Sequence, residues 1–161
     1  MFAFFGRCFR PVRALKGALV TLAAILVLSG AAQARSVTGH EPGRIVIEID
    51  KSTQRMTVLV DGEKRHVFKV STGKQGHETP SGTFHVLSMK EMHYSKKYDN
   101  APMPNSIFFT NAGHAIHATN AVRNLGRPAS HGCVRLAPRD AKTLYDLVER
   151  TGPKGVTIKI S

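Results

Sequence analysis

The sequence predicts a mainly β domain with one main α-helix packed alongside. Three short segments alternate branched apolar residues with polar ones, which is the pattern of half-buried strands. These segments are residues 44–50, 55–60 and 156–160. The dipeptide Asp61-Gly62 lies between two β-rich runs and is a strong hairpin signal. Residues 139–148 place apolar side chains at helical spacing, and no other segment after residue 34 does so convincingly.

The first half of the domain is expected to form a meander and a fourth strand. After the strand at 44–50, the hairpin pairs residues 56–60 with residues 65–70. Residues 72–79 are rich in glycine and polar residues, which favours a loop. A further strand is predicted over residues 82–89, beginning at a Pro-Ser-Gly turn.

The second half is predicted to contain short strands around the helix. Residues 90–105 show no apolar periodicity and contain two prolines, so an irregular, lid-like segment is expected there. Residues 106–110 and 114–118 are short strand candidates. The helix over 139–148 follows a proline, and residues 156–160 close the domain as an alternating strand.

The first 34 residues have the pattern of a secretory signal peptide. They combine a basic start, an apolar stretch over residues 17–28 and the small-residue cleavage pattern Ala32-Gln33-Ala34. The apolar stretch is shorter than the roughly 20 residues of a spanning helix, so an uncleaved anchor is the weaker alternative. Cleavage is expected to leave a short leader at 35–43 and one domain at 44–161, with no stable membrane span. The predicted location is the periplasm or another compartment outside the cytoplasm.

The chain is basic, with a formal net charge of +12 that falls to +8 when the four basic residues of the signal peptide are removed. Such an excess favours anionic partners or solubility alone. The basic residues are scattered and lack an aromatic–basic motif, which argues against nucleic acid as a partner. The anionic polymers and peptide carboxylates of a cell wall are the expected neighbours. A solvated basic surface of no specific meaning is the alternative.

One cysteine, Cys133, remains once Cys8 is lost with the signal peptide. Exported proteins usually pair their cysteines, so an unpaired thiol is a candidate reactive residue. Cys133 belongs to the segment Ser-His-Gly-Cys-Val-Arg at 130–135, and His117 lies sixteen residues upstream. A thiol attacks as its thiolate, and an imidazole can take the proton. The combination indicates acyl transfer, with an inert buried cysteine as the alternative.

Two segments, Ile-His-Ala-Thr-Asn at 116–120 and Ser-His-Gly-Cys-Val-Arg-Leu at 130–136, resemble the active-site signature of the L,D-transpeptidase catalytic domain (YkuD) family. Residues 70–73 and 79–84 are similar to that family's strand, loop and Thr-Pro-x-Gly-x-Phe turn. The resemblance covers about residues 44–160. It implies a β-sandwich with one helix alongside.

The resemblance also implies catalytic roles within this signature. Cys133 is the expected nucleophile. His117 is the expected general acid and base, oriented by the backbone carbonyl of Ala118, where many family members carry glycine. His131 is expected either to line the site or to hold the loop. The amides around Gly132 and Cys133 could donate to a developing oxyanion, or Gly132 is only a turn residue.

Three further residues are candidates for substrate binding. Arg135 offers a charged fork for a carboxylate, with a structural ion pair as the alternative. Asn120 and Tyr94 are weaker candidates for the pocket. The resemblance implies that Cys133 attacks the third residue of a peptidoglycan stem peptide, expels D-alanine and forms a thioester.

The sequence does not select the acceptor of that thioester. Another stem peptide would give a 3→3 crosslink, a free amino acid would give exchange, and a lysine of a wall-anchored protein would give anchoring. Water would make the chain a carboxypeptidase. The resemblance further implies acylation by carbapenems and no metal or organic cofactor. A non-catalytic peptidoglycan-binding domain is the alternative from another functional class.

A zinc site is the main chemical rival, because three histidines and a cysteine could serve as its ligands. They are His114, His117, His131 and Cys133. His114 and His117 fall on a predicted strand, where their odd separation is expected to point them to opposite faces. No metal site is therefore predicted.

Overall fold

The computed structural model describes residues 43–161. The predicted signal peptide, and all but the last residue of the predicted leader, lie outside the described residues. The strands are β1 (Ile45–Asp50), β2 (Arg55–Val60), β3 (Glu63–Lys69), β4 (Gly82–His85), β5 (Ser88–Ser95), β6 (Ala101–Phe108), β7 (Ala115–Ala118), β8 (Val134–Leu136) and β9 (Val156–Ile160). The helix α1 is Pro138–Thr151, and short 3-10 helices occupy Val122–Asn124 and Pro153–Gly155.

The strands form two sheets. One has five strands in the order β3-β2-β1-β9-β4, and the other has four in the order β5-β6-β7-β8. β1 runs antiparallel to β2 and parallel to β9. Buried side chains of both sheets and of α1 belong to one hydrophobic cluster, which forms the core. The predicted mainly β fold with one main helix is confirmed.

The hairpin between β2 and β3 turns at Asp61 and Gly62. Both residues have positive φ, of 52° and 82°, as a type I′ turn requires. Since the turn has only these two residues, β3 starts at Glu63, two residues before the predicted start, and the register shifts between Val58 and Leu59. The hairpin is confirmed, with this change of boundary.

The single strand predicted over residues 82–89 is wrong, because the chain changes sheets within it. β4 ends at His85 and pairs with β9, whereas β5 begins at Ser88 and pairs with β6. The two residues between them belong to neither strand. An alternating pattern indicates extended backbone but carries no information about which neighbour supplies the hydrogen bonds.

The irregular segment predicted over residues 90–105 is also wrong. It is a hairpin of β5 and β6, with a tip at residues 96–100. Pro102 and Pro104 lie within β6 opposite Tyr94 and Met92. They are tolerated because this part of β6 pairs with β5 alone, whereas β7 joins only at Ile107 and Phe108. Many side chains of the hairpin are exposed, so apolar periodicity is absent.

Helix α1 packs against β6 and β7. Its buried residues have the spacing of one helical face. They are Ala141, Leu144, Tyr145 and Val148. The helix begins at Pro138 and ends before Gly152, which has a φ of 85°. None of the helices within residues 43–161 is both long enough and apolar enough to cross a membrane.

Candidate active site

The register of β7 and β8 brings three predicted site residues to one face of the sheet. These strands are parallel, and His117 is the register partner of Arg135. Cys133 immediately precedes β8 and lies two residues before Arg135. Because side chains alternate along extended chain, Cys133 and Arg135 point to the same side as His117.

This face opens on a cavity of about 1080 Å³. Five of the predicted site residues line it. They are His117, Asn120, His131, Cys133 and Arg135. Gly132 and Tyr94 are not among the lining residues; Gly132 is buried beneath them and Tyr94 is 55% exposed on β5. The β5–β6 hairpin forms the opposite wall, through Lys96, Lys97 and Tyr98 among others.

His117 is held in a buried position by its own backbone neighbour. Its side chain is 6% exposed, and Nδ1 lies 2.7 Å from the carbonyl oxygen of Ala118. This is the hydrogen bond that the resemblance implies. Burial lowers the pKa of His117 to about 4, with a further lowering from the charge of Arg135 and an opposing effect from the Ala118 carbonyl. The imidazole is therefore neutral at pH 7, with Nε2 left for a proton.

Cys133 is half-buried and pairs with no other cysteine among residues 43–161. Burial raises the pKa of the thiol above the usual 9.0, although a hydrogen bond from the Ala115 backbone and the charge of Arg135 both oppose this. Sγ also lies 4.0 Å from the carbonyl oxygen of Gly113, to which it can donate. The resting pair of Cys133 and His117 is thus a thiol and a neutral imidazole.

Gly132 occupies a position that accepts no side chain. Its φ is 112°, and a Cβ there would lie 2.8 Å from Cδ2 of His114. Its N–H donates to Oγ of Ser130 at 3.1 Å, and Ser130 in turn donates to the carbonyl oxygen of Cys133 at 2.5 Å. The Gly132 amide is therefore already paired, and its predicted part in oxyanion binding remains a prediction.

A buried threonine, Thr79, also bonds to the turn around Gly132. Oγ1 of Thr79 donates to the carbonyl oxygen of Gly132 at 2.9 Å and accepts the N–H of Gly73 at 2.8 Å. Sequence reasoning used Thr79 only as part of a matching turn. The sequence does not show that the hydroxyl of Thr79 bonds to Gly132, because the two residues lie 53 positions apart.

His131 both lines the cavity and holds its surroundings together. Its ring is stacked on Tyr98, with centroids 4.9 Å apart, and meets the edge of His77 at 4.8 Å. It therefore connects the tip of the β5–β6 hairpin with the loop before β4. His131 thus lines the cavity and contacts two other segments, and its role in the reaction remains a prediction.

Arg135 makes no ion pair within residues 43–161. Nη1 lies 3.4 Å from the carbonyl oxygen of Ala129, and the side chain lines the cavity. Among the lining residues Lys96 and Lys97 are also basic, whereas Asp99 is the one acidic residue. The cavity wall is consequently positive.

The expectation that strand alternation points His114 and His117 to opposite faces is wrong. His114 precedes β7, so strand alternation does not separate it from His117, and both line the cavity. His114 instead bonds through Nδ1 to Oγ1 of Thr110 at 2.8 Å. Within the described part of the chain, no three His, Cys, Asp or Glu side chains are grouped so that they could hold a metal ion.

Residues 44–160 match the family model of the L,D-transpeptidase catalytic domain, YkuD. Over 132 residues the chain is 27% identical to "Putative L,D-transpeptidase YqjB" of Bacillus subtilis (strain 168), with 74% of this chain and 73% of that protein covered.

Solved structures of this fold are also similar. An L,D-transpeptidase from Mycobacterium smegmatis matches with a TM-score of 0.67 at 24% identity, and LD transpeptidase LdtMt1 in complex with imipenem matches with 0.66 at 22%. Each match covers 74% of this chain but only 59% of the other, so this chain spans less than two thirds of their length. At these identities they establish the fold. Since the family model spans almost every described residue, the chain belongs to the L,D-transpeptidase catalytic domain (YkuD) family.

Proposed function

We propose that this chain is a peptidoglycan L,D-transpeptidase in which Cys133 is the nucleophile and His117 the general acid and base. The family acts on peptidoglycan. The observation that carries the proposal is the meeting of Cys133, His117 and Arg135 on one face of the β7–β8 pair, at one cavity. A tetrapeptide stem is the acyl donor, and its terminal D-alanine is the leaving group.

In the first half-reaction, Sγ of Cys133 attacks the carbonyl carbon of the bond between the third stem residue and D-alanine. The thiol proton passes to Nε2 of His117 as the carbon–sulfur bond forms. The carbon–nitrogen bond then breaks, and His117 returns the proton to the amine of D-alanine. A thioester on Cys133 remains.

In the second half-reaction, an amine attacks the thioester carbonyl and transfers a proton through His117 to the departing sulfur. The thiol is restored and a new amide bond is formed. Because thiol and imidazole are both neutral at rest, proton transfer accompanies attack instead of preceding it. No step needs a metal or an organic cofactor.

The charge of the cavity wall favours an anionic donor. Arg135 has no carboxylate partner within residues 43–161, and Lys96 and Lys97 lie on the hairpin wall. A stem peptide carries carboxylates at D-alanine and at diaminopimelate, so Arg135 is assigned to one of them. Asn120, at the same cavity, is assigned to the stem backbone.

The acceptor decides the biological product. A diaminopimelate amine of a second stem gives a 3→3 crosslink, a free amino acid gives exchange, and the lysine of a wall-anchored protein gives anchoring. Water in place of the amine makes the chain an L,D-carboxypeptidase. Each of these reactions takes place outside the cytoplasm, in agreement with the predicted signal peptide.

The decisive experiment is intact-protein mass spectrometry of the wild type and the Cys133→Ala variant. Each protein is incubated with a carbapenem and, separately, with a disaccharide tetrapeptide. The wild type is expected to gain the carbapenem mass and to release D-alanine from the tetrapeptide. The variant is expected to do neither. Adding an amine acceptor then identifies the product.

A wild type that is folded and reduced, yet forms no adduct and releases no D-alanine, would refute the transferase reaction. Retained binding of peptidoglycan fragments by that protein and by Cys133→Ala would identify a non-catalytic wall-binding domain instead. Release of D-alanine with water as the sole acceptor would identify the carboxypeptidase.

A further inference from the structure

We infer that Thr79 is a positioning residue that aims the backbone N–H of Cys133 into the cavity, where this N–H is the oxyanion donor of the reaction. The inference rests on the proposed function, because such a donor matters only if Cys133 attacks a carbonyl group. The amides around Gly132 and Cys133 are already expected as oxyanion donors, so the new element is the role of Thr79, a side chain that does not line the cavity.

The hydroxyl of Thr79 is fully committed in the resting protein. Its side chain is 1% exposed, and Oγ1 accepts the Gly73 N–H at 2.8 Å. The one hydroxyl proton is given to the carbonyl oxygen of Gly132 at 2.9 Å. Both partners are backbone groups, so the hydroxyl fixes the orientation of a peptide plane.

The loop that carries Thr79 is itself tied to the loop that carries Cys133. Lys74 donates its N–H to the Ser130 carbonyl at 3.0 Å, and Ala129 and Ser130 donate theirs to the Thr72 carbonyl at 2.9 Å each. A Cβ at Gly73 would lie 1.8 Å from the carbonyl oxygen of His77, so the close approach requires glycine. The position of Thr79 relative to the turn at 130–133 is therefore fixed by these backbone contacts.

The direction of the Cys133 N–H follows from the planarity of the peptide bond. In a trans peptide the carbonyl of Gly132 and the N–H of Cys133 point in opposite directions. The carbonyl is directed inward to buried Thr79. The N–H consequently points away from Thr79, and we assign it to the cavity that Cys133 lines.

The two amides of the turn have different partners. Ser130 accepts the N–H of Gly132 at 3.1 Å. No group within residues 43–161 accepts the N–H of Cys133. A free N–H beside a nucleophile is placed to receive the negative charge that develops on the attacked carbonyl. Ser130 thus accepts the Gly132 N–H, which makes it unavailable to substrate. Thr79 holds the Gly132 carbonyl and so leaves the Cys133 N–H free to donate.

Two reactions of the same thiol separate this role from a structural one. Acylation by a carbapenem passes through an oxyanion, whereas alkylation by iodoacetamide is a displacement at carbon that builds no such charge. Thr79→Val keeps the side-chain shape and removes the hydroxyl. We expect it to lower the acylation rate constant about tenfold or more and to leave the alkylation rate constant within about twofold. Thr79→Ser restores the hydroxyl and is expected to restore acylation.

Equal slowing of both reactions by Thr79→Val would overturn the inference, because the substitution would then act on the fold or on the thiol itself. Unchanged acylation would overturn it as well. A wild type that is alkylated but never acylated would refute the proposed function, which is a separate outcome.

The wild type provides a test that does not depend on the stability of any variant. In amide NMR spectra, the Cys133 proton is expected to move downfield when the carbapenem adduct forms, because it then donates to the acyl oxygen. The Gly132 proton is expected to stay in place. A shift of Gly132 without a shift of Cys133 would contradict the assignment.

Discussion

The imidazole of His117 takes its orientation from a backbone oxygen, the carbonyl of Ala118, at 2.7 Å from Nδ1. A carbonyl is neutral, so it fixes the ring without the charge that a carboxylate would bring. This leaves burial as the largest influence on the pKa of His117.

Since the orienting group is backbone, the side chain at 118 is replaceable. Ala118→Gly is expected to leave carbapenem acylation within about twofold of the wild type and to lower the free energy of unfolding by about 1 kcal/mol. His117→Gln is the matched comparison and is expected to reduce acylation by two orders of magnitude or more, roughly the contribution of an acid–base group. A large loss of acylation in Ala118→Gly would show that its methyl group matters to the site.

The thiol of Cys133 is expected to remain protonated at neutral pH. Its pKa is raised by burial, and His117 has a pKa of about 4 and so provides no imidazolium to stabilise a thiolate. Thiolate absorbance at 240 nm, taken as the difference between wild type and Cys133→Ala, should therefore be absent at neutral pH and appear only at a more alkaline pH than for a free cysteine. A substantial difference at pH 6 would mean that an ion pair exists before substrate binds.

His117 also makes the stability of the fold depend on pH. The folded pKa of about 4 lies below the ordinary value of 6.5, so between these values the unfolded chain binds a proton that the folded chain does not. Stability is unaffected above pH 6.5 and falls as the pH drops from 6.5 toward 4, by about 3 kcal/mol in all. Denaturant titrations at pH 7.5 and pH 4.5 measure this difference, and His117→Gln is expected to lack this part of it. An equal loss of unfolding free energy in the wild type and in His117→Gln would show that other titrating groups cause the pH dependence.

Gly132→Ala is expected to disrupt the turn around Cys133. The new methyl meets the ring of His114, and the backbone φ of 112° is strained for any residue with a Cβ. Gly62→Ala is the control, since Gly62 also has a positive φ but open space around it. Carbapenem acylation should be nearly lost in the first variant and normal in the second. Recovery in Gly132→Ala combined with His114→Ala would identify the clash as the main cause.

Tyr98→Ala is expected to loosen the tip of the β5–β6 hairpin, because it removes the stack on His131. Hydrogen exchange of amides in residues 96–100 should become faster, and KM for a tetrapeptide donor should rise more than kcat falls. Iodoacetamide alkylation of Cys133 should keep its rate. Unchanged exchange would mean that the hairpin is held by its own ladder and not by the ring contact.

Much of the fold could be predicted from the chain because local chemistry dictates it. Asp61-Gly62 requires a turn whatever surrounds it, and the apolar face of α1 follows from spacing alone. The β5–β6 hairpin was missed because its strands are held by backbone hydrogen bonds and leave many side chains in solvent. Such strands have no hydrophobic pattern to detect.

Some residues of the candidate site could likewise be predicted from the sequence, whereas others could not. Cys133, His117 and Arg135 could be selected from residue types together with the resemblance to the family signature, and the β7–β8 register accounts for their placement. The contributions of Thr79 and His77 could not be foreseen, because each depends on how a distant loop lies against the turn at 130–133. Contacts between loops leave no periodic trace in a sequence.

The ladder between β5 and β6 lacks one pair, Glu91 opposite Asn105, and Asn105 has a φ of 53°. Beside it, Ser106 donates its hydroxyl to the Met103 carbonyl at 2.7 Å. From Asn105 to the tip of the hairpin, β6 does not pair with β7. This part can therefore tilt without breaking a hydrogen bond to β7. An inhibitor bulkier than the resting cavity would therefore displace this arm before it strained the core. The fit of such an inhibitor would depend more on how far residues 101–105 of β6 can move than on the dimensions of the resting cavity.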